Sequence, residues 1–103
     1  MPMATALAAL ERLRDGNRRF AAGAPRAAGA SLARRQALAD GQAPFAIILG
    51  CSDSRVPAEL VFDQGLGDLF VIRVAGNIVA PSQVASVEFA AEQFGTRLVV
   101  VLG

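Results

Sequence analysis

The sequence predicts an α/β fold: a parallel β-sheet core with a β-α-β crossover, preceded by an amino-terminal helical arm. Three observations carry this expectation. Phe45 to Leu49, Leu69 to Val74 and Leu98 to Leu102 are short, continuous apolar runs of strand length, as suits strands buried on both faces. Between the second and third runs, Ser82 to Phe94 places Val84, Val87, Ala91 and Phe94 on one helical face, and Gly95 ends the segment. Everything before the first run reads as helix and connector, and the helices expected between successive runs make the connections crossovers, so the strands pair in parallel.

From Thr5 to Asp15, Leu7, Leu10 and Leu13 recur at helical spacing, with Thr5 as N-cap and Gly16 as stop. Asn17 to Ala22 adds a further turn anchored by Phe20. Ala21 to Ala30 is Ala, Gly and Pro without periodicity and reads as a connector. Ser31 caps a second helix through Ala39, which Gly41 and Pro44 end. After the first strand, Pro57 to Phe62 forms a short helix with Pro at its first position, followed by a turn at Gly65 and Gly67. These boundaries divide a single domain into a helical arm, residues 1–43, and the first part of an α/β unit, residues 44–103.

A chain of 103 residues that is 53% hydrophobic holds one packed core. The formal charge is +1 and the Arg residues are interspersed with Asp and Glu, which argues against nucleic acid or an anionic membrane surface as partner and favours small molecules. All ten basic residues are Arg, which reads as coding bias. One Cys, Cys51, precludes an internal disulfide, and Glu11 and Arg12 interrupt any leader-like apolar run near the start, so a reducing cytoplasm is expected. No apolar run reaches the roughly 18 residues of a membrane span.

Ligands of open parallel sheets bind beyond the carboxyl ends of the strands, and the polar residues concentrate there. Cys51, Asp53 and Arg55 stand at alternate positions directly after the first strand, which aims a soft ligand, an acid and a cation into one pocket. Alone, Cys51 also reads as a small buried hydrophobe and Asp53 with Arg55 as a structural ion pair. The neighbours shift the weight, because a metal-bound thiolate gains from a nearby cation and from a carboxylate that accepts a proton from water.

The run Cys51-Ser52-Asp53-Ser54-Arg55-Val56-Pro57-Ala58 resembles the zinc-site signature of the β-class carbonic anhydrases. The similarity continues through Pro44 to Gly50, Asp63-Gln64-Gly65, Phe70 to Asn77 and Ser86 to Ala90, and the segment Gly16 to Phe20 resembles the family as well. The resemblance implies zinc as cofactor, CO2 and bicarbonate as substrates, and reversible CO2 hydration. It implies Cys51 as a zinc ligand and Asp53 as acceptor of a hydrogen bond from zinc-bound water or, in a closed state, as a ligand itself. Arg55 then holds Asp53 off the metal. It further implies pocket roles for Gln42, contributed across a dimer interface, and Phe70, together with a homodimer or higher homo-oligomer built partly on Leu7, Leu10, Leu13 and Phe20. Gly76 and Asn77 are expected to shape the second loop. The Trp and Tyr of a second, inhibitory bicarbonate site are not in the sequence, and Ile48 stands in the place of that Trp, so no such regulation is expected.

The family completes its zinc site with a His-x-x-Cys pair after the third strand, whereas this sequence has no His and reaches Val101-Leu102-Gly103 at that point. A catalytic zinc takes three protein ligands. The expectation is therefore an incomplete domain whose own activity is compromised. Competing readings are a non-catalytic remnant acting in dimerisation or association, and a hydrolase of carbon disulfide or carbonyl sulfide on the same fold. A cysteine phosphatase or sulfurtransferase fits less well, since Asp53 repels an anionic substrate and Ser52 to Pro57 offers no Gly-rich anion cradle.

Overall fold

Thr5 starts the first helix as expected: in the computed structural model, which describes residues 2–27 and 30–103, its Oγ1 accepts from the Ala8 amide at 3.2 Å. Helix α1 then runs Ala6–Ala21 and passes straight through Gly16. The stop is Gly23, in the left-handed region at φ 68°, where the Gly23 amide donates to Phe20 and the Ala24 amide to Arg19, satisfying the last carbonyls. Gly16 serves packing instead. A Cβ there would stand 1.7 Å from the Phe62 carbonyl oxygen, so only glycine lets α1 approach that backbone. The inward face is correspondingly Ala9, Leu13 and Gly16; Leu7 is 77% exposed and Phe20 lies at the surface rather than acting as an anchor.

Ser31 caps α2, Leu32–Ala37, through a bond from the Arg34 amide, and a 3-10 turn over Leu38–Asp40 replaces the last helical turn expected there. Of the connector, Ala28 and Gly29 lie outside the described residues. The strands are β1, Ala46–Gly50, β2, Leu69–Arg73, and β3, Val99–Val101, each within a residue or so of its apolar run. Helix α3, Ala58–Val61, links the first two and α4, Pro81–Phe94, the last two. Pro81 opens α4, Gln83 Oε1 accepts from the Ala80 amide, and Gly95 closes it at φ 67°.

All pairing is parallel, in the order β2-β1-β3, with Ile47 opposite both Phe70 and Val99. The first crossover steps from β1 to one side and the second returns over β1 to the other. Right-handed crossovers in opposite directions place their helices on opposite faces. On one face Ala46 and Ile48 join Ala9 and Leu13 of α1, Ala58 of α3, and Phe62 in a single core. On the other, Phe70 packs with Phe89 and Phe94 of α4 at centroid distances near 6.0 Å.

Only β1 is buried along its whole length; β2 and β3 keep partly open positions because they flank it. The apolar runs therefore overstate the burial of the outer strands. Helix α4 is also rotated from its expected face: Ala90 is fully buried, with Gln83, Ser86, Val87 and Phe94 partly covered, while Val84 and Ala91 are exposed. The small Ala90 lets the helix sit close to the sheet while the aromatics at its end fill the edge.

Asp63 ties the arm to the sheet unit. Its buried carboxylate accepts from Arg19 Nε at 2.6 Å and from the Arg26 and Ala27 amides at 2.9 and 3.1 Å. The Arg19 guanidinium and these amides hold its pKa at about 2, below the ordinary 3.8. A depressed carboxyl pKa stabilises the fold above the unfolded-state value and loses that contribution as pH falls through the folded-state value. The expected result is a urea midpoint that declines between about pH 4 and pH 2, and a lower, flatter acid limb in Asp63→Asn; an unchanged limb in the variant would contradict this role.

Candidate metal centre

The first crossover leaves β1 for β2 and the second passes back over β1 to β3 on its other side, so the carboxyl end of β1 is the switch point of the sheet, where ligands of such folds bind. Cys51 follows the last residue of β1 there. The sheet ladder extends one step beyond the strand, from the Val74 amide to the Gly50 carbonyl at 3.1 Å and from the Ser52 amide to the Val74 carbonyl at 3.3 Å. This anchors the start of the loop.

Cys51 is a free, partly exposed thiol, neither sealed in the core nor fully open. Its Sγ accepts from the Gly76 amide at 3.2 Å and from the Asp53 amide at 3.4 Å. These amides, that of Asp53 foremost, lower the thiol pKa from its ordinary 9.0, while partial desolvation and the Asp53 charge oppose them. The effect favours the thiolate, the form that ligates metal.

Asp53 is held twice by Arg55. The Arg55 backbone amide donates to Oδ1 at 2.8 Å, closing a tight side-chain turn, and the guanidinium forms a fork, Nε to Oδ1 at 2.9 Å and Nη2 to Oδ2 at 2.6 Å. Mainly through the guanidinium, these bonds hold the Asp53 pKa at about 2. Arg55 is raised in turn by the carboxylate. The Arg55 side chain is 85% exposed, so the pair adds little to stability and can open without unpacking the core.

Sequence reasoning missed Arg73. It ends β2 opposite Gly50, and its guanidinium reaches across to the Cys51 carbonyl, Nε at 2.9 Å, and to the Asp53 carbonyl, Nη2 at 2.6 Å. The available signal was its register: a cation closing an otherwise apolar strand at the ligand-binding end of the sheet. Gly76, expected only to shape its loop, also supplies an amide to Cys51 and needs its φ of 75° to do so.

The structure thus brings Cys51, Asp53 and Arg55 together, and leaves Gln42 and Phe70 apart from them within one chain. Gln42 is exposed before β1, beside a cleft of about 450 Å³ formed with Leu38 to Gly41 and Gly67. Phe70 lies three residues short of Arg73, roughly 10 Å along the strand, in the aromatic cluster on α4. A cleft of about 510 Å³ between α1 and the 63–68 turn, lined by Arg12, Arg19, Arg34, Asp63 and Asp68, includes none of the loop residues.

The donor set fits one metal position directly. Cys51 supplies a soft, partly exposed sulfur biased towards thiolate, while both oxygens of Asp53 are engaged by Arg55. Among the described residues no three His, Cys, Asp or Glu side chains cluster as a complete ligand set.

Comparison with known proteins bears on this geometry. Residues 46–103 match the family model described as carbonic anhydrase. The whole chain is 48% identical over 103 residues to carbonic anhydrase 2 of Mycobacterium tuberculosis, and spans 50% of that relative's length. Among solved structures, the β-carbonic anhydrase of Aspergillus fumigatus superposes with TM-score 0.63 at 36% identity, over 67% of this chain and 35% of that one. One of the tetrameric β-carbonic anhydrases of Sordaria macrospora gives TM-score 0.63 at 38% identity, over 67% of this chain and 36% of that one. A parallel sheet with Cys51, Asp53 and Arg55 at its switch point, matched along this length, establishes that the chain belongs to the β-class carbonic anhydrases.

Proposed function

We propose that this chain carries part of a zinc centre for the reversible hydration of CO2 to bicarbonate, with Cys51 as one zinc ligand and Asp53 and Arg55 as a gating pair. The observation that carries the proposal is the Arg55 fork on Asp53 beside the amide-cradled Cys51 sulfur. When bound, zinc supplies a nucleophile from water near neutral pH. The chain's own residues prepare for that chemistry. Asp53 stays ionised at every pH above about 4, because Arg55 holds it so. Oδ1 already accepts two bonds and Oδ2 only one, so Oδ2 keeps a lone pair with which to accept a hydrogen bond from a reacting water and orient it. Release of the exposed Arg55 guanidinium would free Oδ2 and leave Oδ1 on the Arg55 backbone amide, making Asp53 available as a metal ligand.

With one Cys and no His, the 103 residues provide one strong ligand, and a catalytic zinc takes three. The proposal therefore assigns the remaining ligands to a His-x-x-Cys segment supplied after β3. Assembly is proposed as a homo-oligomer: Leu7 and Phe20 on α1 are exposed apolar surface, and the Sordaria macrospora relatives are described as tetrameric. Gln42 reaches the neighbouring site in that arrangement. A cytoplasmic setting agrees with the single free thiol.

The test is stopped-flow CO2 hydration with zinc, for the 103-residue chain and for the chain continued through a His-x-x-Cys segment. The short form is expected to stay at the buffer rate and the long form to turn over and lose activity to a chelator. Chelator-resistant hydration, or none in the zinc-loaded long form, would refute the proposal.

A further inference from the structure

We infer that Arg73 is a positioning residue for this centre, a brace that fixes the backbone on which the Cys51 sulfur and Asp53 carboxylate are mounted. The inference rests on the reading of Cys51 and Asp53 given above, and its geometry is independent of the Asp53–Arg55 pair. Arg55 grips the Asp53 carboxylate; Arg73 grips main chain, donating to the carbonyls of Cys51 and Asp53 at 2.9 and 2.6 Å.

Each of those carbonyls belongs to the peptide plane that immediately follows the Cα of a site residue. Holding both planes sets the directions in which the two side chains leave the loop. The intervening plane carries the Asp53 amide that donates to Cys51 Sγ, so it too is fixed from either side. Among the described residues, the other bonds to the main-chain carbonyls and amides of this stretch from outside it are a long ladder bond at Ser52, 3.3 Å, and a turn bond from the Val56 amide to Asp53, 3.2 Å. The charge-assisted bonds from Arg73, at 2.6 to 2.9 Å, are shorter than these and are the strongest restraints on its main chain.

The residue type follows from the task. Two carbonyls two residues apart call for a planar fork with several fixed donors, which guanidinium has and an ammonium point charge lacks. The mounting point is equally specific. Arg73 is the last residue of β2 and is paired with Gly50, so the brace is carried by the sheet rather than by another loop. The same strand end leads into the turn whose Gly76 amide meets Cys51 Sγ, so β2 and the turn after it contact Cys51 at both its carbonyl and its sulfur.

The test uses the metal-free 103-residue chain, its Arg73→Gln and Arg73→Lys variants, and amide hydrogen exchange by NMR. In Arg73→Gln the amides of Asp53, Arg55 and Gly76 are expected to exchange about tenfold faster or more, while the β1 amides of Ile48 and Leu49 keep their wild-type protection. Arg73→Lys is expected to recover little of the loss. A spectroscopic readout accompanies it: cadmium titration followed by the thiolate-to-cadmium charge-transfer band, with the half-saturating concentration raised several-fold in Arg73→Gln. Unchanged exchange at Asp53, Arg55 and Gly76, a uniform rise that includes β1, or identical cadmium titrations would each overturn the inference. The exchange experiment needs no metal, so failure of the zinc reading shows separately, as no cadmium band in the wild-type chain.

Discussion

Gly16→Ala is expected to destabilise the domain by about 3 kcal/mol or more, enough to leave a marginal fold largely unfolded. Helix propensity alone gives the opposite sign, since replacing Gly with Ala inside a helix gains about 1 kcal/mol. Steric contact decides. The added methyl would lie 1.7 Å from the Phe62 carbonyl oxygen and 2.7 Å from its carbon, and these are backbone atoms that cannot rotate aside. Relief requires α1 to lift away from the α3–β2 connection. That separation breaks the Asn17 bond to the Val61 carbonyl, strains the Arg19 link to Asp63, and opens the core around Leu13. Urea unfolding followed by circular dichroism checks this, and a variant as stable as wild type would show that α1 does not pack so closely in solution.

The second large effect concerns chemistry. In the chain continued through a His-x-x-Cys segment, Cys51→Ser is expected to abolish zinc retention and bring CO2 hydration to the buffer rate, with the fold intact. A hydroxyl is a far poorer zinc ligand than a thiolate and is not deprotonated at neutral pH. The fold should survive because Cys51 is only partly buried and lies outside the core cluster around Ile48. Inductively coupled plasma mass spectrometry with circular dichroism and the hydration assay separates the two effects. Zinc-dependent turnover by Cys51→Ser would remove the ligand role from the account.

The sheet and its connections were readable from the sequence because β1, β2 and β3 are short apolar runs punctuated by Pro and Gly, a pattern that needs no partner information to recognise. Helix faces were not. Leu7 and Leu10 share helical spacing with Leu13, yet the buried face turns towards Ala9 and Gly16, because close approach to the Phe62 carbonyl favours the smallest side chains. On α4 the same preference buries Ala90 and exposes Val84. Glycine carried two meanings that spacing could not separate: Gly23 ends α1 in the left-handed region, while Gly16 sits within the helix at a contact.

The grouping of Cys51, Asp53 and Arg55 followed from alternation after a strand, and their hydrogen bonds are local in sequence. Arg73 and Gly76 reach Cys51 from 22 and 25 residues away, and only the parallel register of β2 on β1 brings them there. Gln42, at the opposite end of the sheet, depends on a second chain for any part in the site.

Zinc K-edge X-ray absorption of the zinc-loaded chain continued through a His-x-x-Cys segment addresses the metal directly. The account expects sulfur scatterers at about 2.3 Å, a sulfur count unchanged by Arg55→Gln, and no protein-bound zinc–sulfur shell in Cys51→Ser. A sulfur shell that is the same with and without the residue 51 thiol would contradict it.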